Sequence, residues 1–206
     1  MSRTLLAIVL FIFTTACAAS PQAKSIVILG DSLSAGFGIA QQQSWPSLLE
    51  QRLKTQGYPY RVANISISGE TTRGGLSRLA PVLKQHRPEI VVVALGANDG
   101  LRGLPLAQMR DNLSAIVQLS KTSHARVLLL GMQLPPNYGV DYTRQFRQIY
   151  PDLARRHKVA LEPFLFDGFA DQREAFQNDG LHPTAASQAQ MLDNVWRGLQ
   201  PLLRKH

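Results

Sequence analysis

Short apolar runs alternate along this chain with longer segments whose apolar residues recur at helical spacing. The runs at residues 25–29 and 90–95 are almost wholly apolar, as in strands that are buried on both faces of a parallel sheet. Residues 60–67, in which Val62, Ile65 and Ile67 are apolar, and residues 127–130 and 159–164 predict three more strands. The pattern therefore predicts five strands.

The segments between these strands, and the one after the last strand, predict helices. Apolar side chains recur every three or four residues at 44–56, 72–86, 105–121, 142–157 and 184–203. Strands that alternate with helices at this spacing favour βαβ units and a parallel sheet covered on both faces. We therefore predict one α/β domain over residues 20–206, with three layers (α/β/α) and a five-stranded parallel sheet.

Composition and charge exclude some classes of function. Of the 206 residues, 45% are hydrophobic and 17% are charged, as in an ordinary globular protein. The formal net charge is +8, but the basic residues are scattered and form no stripe interleaved with aromatic side chains. A nucleic-acid partner is therefore not expected. A solvated basic surface is the favoured interpretation, and peripheral contact with an anionic membrane stays open.

The first 19 residues differ from the rest of the chain. Arg3 precedes an apolar stretch at residues 5–13, and small residues follow that stretch, which is typical of a secretory signal peptide. The stretch is well short of the roughly 18–20 residues that span a bilayer, so a membrane anchor is the less favoured alternative. We predict a signal peptide at residues 1–19 and export to the periplasm or beyond.

Cys17 is the only cysteine, and it lies inside the predicted signal peptide. The residues before it loosely resemble a lipoprotein cleavage box, although Thr14 stands where that box usually has leucine. Lipid attachment at Cys17 is therefore the less favoured alternative to simple removal. After removal, the mature chain has no cysteine for a disulfide, a thiolate metal site or a nucleophile.

Two short motifs at opposite ends of the chain carry the candidate chemistry. Ser32 follows the first predicted strand within Gly-Asp-Ser-Leu, and Asp179 stands three residues before His182 within Asp-Gly-Leu-His-Pro. In an open α/β sheet, residues that follow the carboxyl ends of strands form the functional crevice. A serine, a histidine and an aspartate are the parts of a nucleophile, its base and the group that orients the base. The motifs therefore predict a serine hydrolase.

Two further strand ends offer donors for the oxyanion of an acyl-transfer intermediate. Gly69 follows the second strand and has no Cβ to obstruct its backbone N–H, whereas Asn98 follows the third strand and offers a side-chain amide. Ser32 would add its own N–H. We predict that Ser32, Gly69 and Asn98 form an oxyanion hole. Taken singly, each of these residues is explained as well by turn chemistry.

Other chemistries lack their motifs in this sequence. Gly-x-Ser-x-Gly does not occur, so the nucleophile elbow of α/β-hydrolases is missing. The glycines at residues 30–38 are not followed by the Gly-Lys-Ser/Thr of a phosphate-binding loop. Asp31, Asp99, Asp179 and His182 lack the spacing of a recognised metal site. We expect neither a metal nor a cofactor.

The motifs together resemble those of the SGNH, or GDSL, hydrolase family. The four matching blocks are Gly30-Asp31-Ser32-Leu33-Ser34, Gly69 with its neighbours, Gly96-Ala97-Asn98-Asp99 and Asp179-Gly180-Leu181-His182-Pro183. Longer matches, such as residues 64–69, 96–103 and 131–139, are similar to the periplasmic thioesterase I/lysophospholipase/arylesterase group of Gram-negative bacteria. The resemblance covers essentially the whole mature chain and implies a flavodoxin-like α/β/α fold.

The resemblance also implies roles for individual residues. It makes Ser32 the nucleophile, His182 the general base and acid, and Asp179 its orienting partner. It makes residues 134–139 a mobile segment that lines the acyl pocket, and we expect Leu134, Pro135 and Tyr138 to contact substrate. Ala97 departs from the family pattern, which often has glycine there, and so puts the acyl-chain preference in doubt.

The expected substrates are aryl and short-to-medium acyl esters, acyl thioesters and lysophospholipids, cleaved by a monomeric enzyme through an acyl-Ser32 intermediate. Two alternatives stay open. One is a carbohydrate O-deacetylase on the same fold, which would prefer acetyl groups on a sugar. The other is a catalytically silent periplasmic lipid-binding protein, in which Ser32 would not react with a fluorophosphonate probe.

Overall fold

The computed structural model describes residues 24–205, so the predicted signal peptide and Cys17 lie outside the described residues. Within this range one sheet contains five strands, all paired in parallel. The strands are β1 (Lys24–Gly30), β2 (Tyr60–Asn64), β3 (Ile90–Ala94), β4 (Arg126–Leu130) and β5 (Ala160–Glu162). The five-stranded parallel sheet predicted from the apolar pattern is confirmed.

Seven α-helices connect or follow these strands within the described part of the chain. They are α1 (Ser32–Ala35), α2 (Trp45–Thr55), α3 (Thr72–His86), α4 (Ala97–Leu101), α5 (Leu106–Thr122), α6 (Val140–His157) and α7 (Gln188–Leu199). Helix α2 packs against α7, whereas α5 packs against both α3 and α6. These two groups of helices cover opposite faces of the sheet, which confirms the α/β/α layers.

The order of strands across the sheet is β2-β1-β3-β4-β5. The two strands at the point where this order reverses, β1 and β3, are neighbours and are almost entirely buried. Gly30 at the end of β1 is paired with Ala94 at the end of β3. The segments that follow these two strands therefore leave the sheet at the same level, where open α/β sheets place their sites.

Several element boundaries differ from the sequence prediction by up to four residues, and the short helices α1 and α4 were not predicted. Strand β2 ends at Asn64 rather than at residue 67, although the N–H groups of Ile65 and Ile67 still donate to the β1 carbonyls of Ile28 and Gly30. The last helix begins at Gln188 rather than at residue 184. Before it, the Thr184 N–H and the Ser187 hydroxyl both donate to the Ala175 carbonyl, which holds the segment as a turn.

No helix among residues 24–205 has the length and apolar character required to cross a bilayer.

Candidate active site

A tight turn presents the Ser32 hydroxyl at the end of β1. Asp31 caps the short helix α1, since its carboxylate accepts a hydrogen bond from the Leu33 N–H at 3.0 Å. Gly36 ends the helix in the left-handed conformation, at a φ of 76°. Ser32 is therefore the first residue of α1, and its hydroxyl lies just past the carboxyl edge of the sheet.

Asp179 and His182 form a rigid pair within one turn of the chain. One carboxylate oxygen of Asp179 accepts hydrogen bonds from the N–H groups of Leu181 at 2.9 Å and His182 at 3.0 Å. Its other oxygen lies 2.7 Å from Nδ1 of the His182 ring. Gly180 permits this turn with a φ of 69°. The Asp179 carboxylate thus holds both the backbone and the ring of the histidine.

These contacts determine the ionisation state of Asp179 and the tautomer of the neutral His182 ring. The N–H donors of His182 and Leu181, with the imidazole of His182, lower the pKa of Asp179 to about 2. Asp179 is therefore an anion near neutral pH and can only accept a hydrogen bond, so Nδ1 of His182 must donate to it. The other ring nitrogen, Nε2, is then left as an acceptor.

The acceptor nitrogen of His182 faces the hydroxyl of Ser32. Nε2 lies 2.9 Å from Ser32 Oγ, although the two residues are 150 positions apart in the chain. The Phe37 ring packs against the imidazole, with ring centroids 4.4 Å apart. The structure thus brings together all three residues that the sequence predicts as a nucleophile, its base and the orienting carboxylate.

Gly69 and Asn98 line the same cavity as Ser32 and His182. Gly69 has a φ of 79°, a conformation that glycine adopts without strain. Asn98 lies in α4 and donates one amide N–H to the Asp31 carboxylate at 3.3 Å. Because the Asn98 amide carries two N–H groups, a second donor remains for a ligand in the cavity.

Buried hydrogen bonds tie the loops of Gly69 and Asn98 to each other. The carboxylate of Asp99, which is buried, accepts from the Thr72 N–H at 2.9 Å and from the Thr72 hydroxyl at 2.6 Å. On the cavity side, Arg102 donates to the Gly69 carbonyl at 2.9 Å. These contacts fix the peptide of Gly69 relative to helix α4.

Asp31 is a buried carboxyl that borders the same cavity. Loss of hydration in its buried position raises the pKa of Asp31 to about 6, although the Leu33 N–H, the charge of His182 and the Asn98 amide act in the opposite direction. Asp31 links the nucleophile turn to the Asn98 amide, because its two oxygens accept from one group on each side. The sequence did not assign it a role, since its contact with Asn98 joins residues 67 positions apart.

The cavity that these groups line has a volume of about 550 Å³ and is mostly apolar. Two of the predicted substrate contacts, Leu134 and Pro135, line it. Tyr138 is not among the lining residues; it lies beside the cavity, and its hydroxyl donates to the carbonyl of Leu101 at 3.1 Å. Pro136, from the predicted segment 134–139, and Ala97 also line it, whereas the remaining apolar lining was not predicted and consists of Leu33, Phe37, Leu101, Met132, Phe164, Phe166, Ala170, Phe176 and Leu181.

Three of the unpredicted aromatic residues carried a weak signal in the sequence. Phe164 and Phe166 follow directly after the last strand, and Phe176 stands six residues before His182. Aromatic residues just past a strand end are candidates for a pocket at the carboxyl edge of the sheet.

Gln177 is a further unpredicted contributor to the site. Its side-chain amide donates to the Phe37 carbonyl at 2.8 Å and to the Pro183 carbonyl at 3.1 Å. Phe37 follows the nucleophile helix α1, whereas Pro183 follows His182. Gln177 therefore connects the loop that carries His182 to the segment that follows Ser32.

No group of three or more His, Cys, Asp or Glu side chains within residues 24–205 is arranged to hold a metal ion.

Comparison with known proteins identifies the family of this architecture. A family model described as "GDSL-like Lipase/Acylhydrolase family" matches residues 28–190. Esterase TesA of Pseudomonas aeruginosa is 46% identical over 181 residues, covering 88% of this chain and 90% of TesA. Arylesterase of Vibrio mimicus is 45% identical over 184 residues, covering 89% of this chain and 91% of the relative.

A third relative has several activities in its name. "Thioesterase 1/protease 1/lysophospholipase L1" of Escherichia coli K12 is 41% identical over 181 residues, which are 88% of this chain and 86% of that protein. Among solved structures, a crystal structure of TesA superimposes with a TM-score of 0.86 at 46% identity, covering 87% of this chain and all of that one.

Proposed function

This chain belongs to the GDSL, or SGNH, family of lipases and acylhydrolases, and we propose that Ser32, His182 and Asp179 are its catalytic triad. It is a serine hydrolase that acts on carboxylic ester bonds. The observation that carries the residue assignment is the 2.9 Å contact between Ser32 Oγ and His182 Nε2, with Asp179 on the opposite ring nitrogen.

The first half of the reaction acylates Ser32. As Oγ attacks the carbonyl carbon of the ester, its proton passes to Nε2 of His182. Asp179 accepts from Nδ1 and stabilises the imidazolium that forms. The intermediate's oxyanion accepts hydrogen bonds from the N–H groups of Ser32 and Gly69 and from the Asn98 amide. The intermediate then collapses, and the leaving group departs with the proton from Nε2.

The second half of the reaction repeats these steps with water. His182 takes a proton from a water molecule, which attacks the acyl carbonyl, and the same donors hold the oxyanion. Collapse of this intermediate breaks the ester bond to Ser32, whose oxygen recovers the proton from Nε2. The products are the free acid and the original enzyme, and no cofactor enters either half.

The cavity indicates the class of substrate. About 550 Å³ lined by phenylalanine, leucine, methionine and proline side chains suits an acyl chain better than a hydrophilic sugar. We therefore favour acyl esters, acyl thioesters and lysophospholipids over acetylated carbohydrates. Because Leu134 and Pro135 are part of the lining, and Tyr138 supports it from beside the cavity, we retain all three as substrate-binding candidates.

We further propose that residues 1–19 direct export and are then removed, and that the mature enzyme is a monomer. Arg3 and the apolar stretch of residues 5–13 support this location. Mass spectrometry of the mature N-terminus tests it, since cleavage after residue 19 and an acylated Cys17 give different masses.

Substitution of the nucleophile tests the mechanism. Ser32→Ala should abolish hydrolysis of a nitrophenyl acyl ester while circular dichroism and the urea midpoint stay unchanged, because the hydroxyl is only partly buried. A fluorophosphonate probe should also label Ser32 of the wild-type protein. A catalytically silent binding protein would not react with this probe. Ester hydrolysis that persists in Ser32→Ala would falsify the triad.

A second measurement separates the acyl hydrolase from the deacetylase. With an acyl pocket, kcat/KM should rise from acetyl esters to esters of longer acyl chains, because binding energy from the chain stabilises the transition state. A preference for acetyl groups on a sugar would instead support the carbohydrate O-deacetylase.

A further inference from the structure

Five large apolar side chains among residues 24–205 are exposed to solvent, and all five lie around the mouth of the active-site cavity. They are Phe37, Ile67, Tyr138, Val140 and Leu181, and we call them the apolar rim. Exposed apolar groups are ordinarily scattered over a protein surface. Their concentration at one place marks a surface that contacts something other than water.

Contacts within the structure locate each member of the rim. Phe37 and Leu181 line the cavity itself. Tyr138 donates its hydroxyl to Leu101, which also lines the cavity. Val140 borders a shallow depression that shares the side chains of Leu134 and Pro136 with the cavity. Ile67 stands two residues before Gly69, another residue of the lining.

The topology of the sheet distributes the rim on both sides of the reacting groups. Ile67 follows β2, and Val140 follows β4, whereas the strands between them, β1 and β3, lead to Ser32 and Asn98. Strands lie about 4.8 Å apart, so β2 and β4 are separated by roughly 14 Å across the carboxyl edge. Ile67 and Val140 therefore flank the opening of the cavity.

The two most exposed side chains of the rim lie outside the cavity lining. Ile67 is 51% exposed and Val140 is 78% exposed, and neither is part of the cavity lining. Their exposure therefore calls for an occupant that lies over the mouth of the cavity rather than within it.

Positive charge accompanies the rim. Arg144 and Arg147 border the same depression as Val140, and Arg102 reaches the Gly69 carbonyl. Arg144 is paired with Asp141, but neither Arg147 nor Arg102 is in a salt bridge with any carboxylate of residues 24–205. With a formal net charge of +8 on the chain, this face complements phosphate groups.

We propose that the apolar rim docks on an anionic phospholipid surface, with Ile67 and Val140 entering the headgroup region and the cavity mouth facing the lipid. A folded protein seated on the rim would close the cavity. A lipid layer would instead supply acyl chains through the mouth. The proposal rests on the proposed acyl hydrolase function, and it names the physical form in which that site receives its substrate.

The test measures binding without turnover. Wild-type protein and the double variant Ile67→Ser/Val140→Ser are sedimented with sucrose-loaded vesicles of phosphatidylcholine and phosphatidylglycerol at 3:1. We expect the partition coefficient of the double variant to fall at least tenfold, because two apolar side chains no longer leave water on binding. Wild type and the double variant have the same N-terminal segment. Any contribution of that segment to vesicle binding therefore cancels in the ratio of their partition coefficients.

Matched variants separate the rim from general effects of mutation. Ile67→Val/Val140→Ile keeps the rim apolar and should bind within twofold of wild type. Arg147→Gln should weaken binding to these vesicles about fivefold and leave binding to pure phosphatidylcholine unchanged. Lys84→Gln removes the same charge near the end of α3, at the amino edge of the sheet, and should have no such effect.

Several outcomes would overturn the proposal. In the first, wild-type protein stays in the supernatant. In the second, the double serine variant binds vesicles as well as wild type does. In the third, wild-type protein does not bind vesicles but forms a dimer in sedimentation velocity, and the serine substitutions dissociate that dimer. Hydrolysis of water-soluble nitrophenyl acetate by the double serine variant should stay within twofold of wild type. If Ser32→Ala still hydrolysed esters, the proposed triad would be contradicted. The vesicle-binding measurement would not be affected, because it does not depend on turnover.

Discussion

Asp31 and Asp179 are two aspartates whose surroundings act on their pKa values in opposite directions. Burial raises the pKa of Asp31 to about 6, whereas backbone and imidazole donors lower the pKa of Asp179 to about 2. Asp31 connects the nucleophile turn with Asn98, and Asp179 orients His182. The pH dependence of stability should therefore distinguish the two carboxyls.

Asp31→Asn should become more stable relative to wild type as the pH rises from 4 to 7. In the unfolded chain Asp31 releases its proton near its ordinary pKa of 3.8, but the folded protein retains that proton until about pH 6. The wild type therefore loses stability from this site as the pH rises through that interval, and the asparagine variant does not. Urea denaturation at pH 4, 5, 6 and 7 measures the difference.

The matched variant Asp179→Asn should behave in the opposite way at lower pH. The folded protein keeps Asp179 ionised down to about pH 2, so the wild type gains stability over this variant as the pH rises from 2 to 4. A stability difference between Asp31→Asn and wild type that is constant from pH 4 to 7 would contradict the assignment of a raised pKa to Asp31.

Asn98→Ala should lower kcat by roughly 10²–10³ with little change in KM, if the amide holds the oxyanion only in the transition state. Steady-state kinetics on a nitrophenyl acyl ester measure the effect. Asn112→Ala is a suitable control, because Asn112 donates to the Thr72 hydroxyl beneath the site without lining the cavity. A change in kcat of less than threefold for Asn98→Ala would leave Asn98 as a turn residue.

At the scale of elements, the site depends on contacts between loops. Ser32 lies between β1 and α2, whereas His182 lies between β5 and α7. Gln177 joins these two segments through the carbonyls of Phe37 and Pro183. Its own N–H donates to the His182 carbonyl at 2.8 Å. We therefore expect Gln177 to act as a positioning residue for His182.

Gln177→Ala should lower kcat about tenfold and leave KM within twofold, because His182 would face Ser32 for a smaller fraction of the time. The rate of fluorophosphonate labelling of Ser32 should fall in parallel with kcat. A role limited to stability would instead shift the urea midpoint and leave the labelling rate of the folded protein unchanged.

Gln172→Ala provides the control for this substitution. Gln172 lies five positions earlier, and its side chain donates to the Gly168 carbonyl at 3.0 Å. Its substitution therefore removes a similar hydrogen bond but leaves the bonds to the Phe37 and Pro183 carbonyls in place. Equal kinetic effects of Gln172→Ala and Gln177→Ala would argue against the positioning role.

At the scale of the whole molecule, the helix layer supports the carboxyl edge of the sheet. Tyr150 on α6 is fully buried, and its hydroxyl donates to the Leu95 carbonyl at 3.0 Å. Leu95 directly follows β3 and precedes the segment of Asn98. A Cβ at Gly96 would lie 2.4 Å from the same tyrosine oxygen, so only glycine fits there. Helix α6 thus fixes the segment that follows β3 through this hydrogen bond and the packing of Tyr150 against Gly96.

Tyr150→Phe should therefore lower the free energy of unfolding by about 1–2 kcal/mol, because a buried carbonyl is left without its donor. Equilibrium denaturation in urea measures this loss. Tyr142→Phe on the same helix removes a more exposed hydrogen bond to the Gly100 carbonyl and should cost less. If Tyr142→Phe lost more unfolding free energy than Tyr150→Phe, burial would not be what makes the Tyr150 hydrogen bond the more stabilising of the two.

Much of this fold followed from local pattern. The apolar strands and amphipathic segments predicted all five strands and the parallel sheet, because burial on both faces leaves a clear mark on composition. Boundaries were less accurate where side chains compete with the backbone for hydrogen bonds. The Thr184–Ser187 turn, in which the Ser187 hydroxyl donates to the Ala175 carbonyl, delays the start of α7.

The sequence by itself determined the five strands, the five longer helices and the pairing of Asp179 with His182, since all of these depend on residues close together in the chain. Only the tertiary structure decided which distant groups meet. The approach of His182 to Ser32, the bridge of Gln177 to Phe37 and the link of Asp31 to Asn98 depend on strand order, register and loop path. These contacts arise when the chain collapses around a common core, and no local pattern records them.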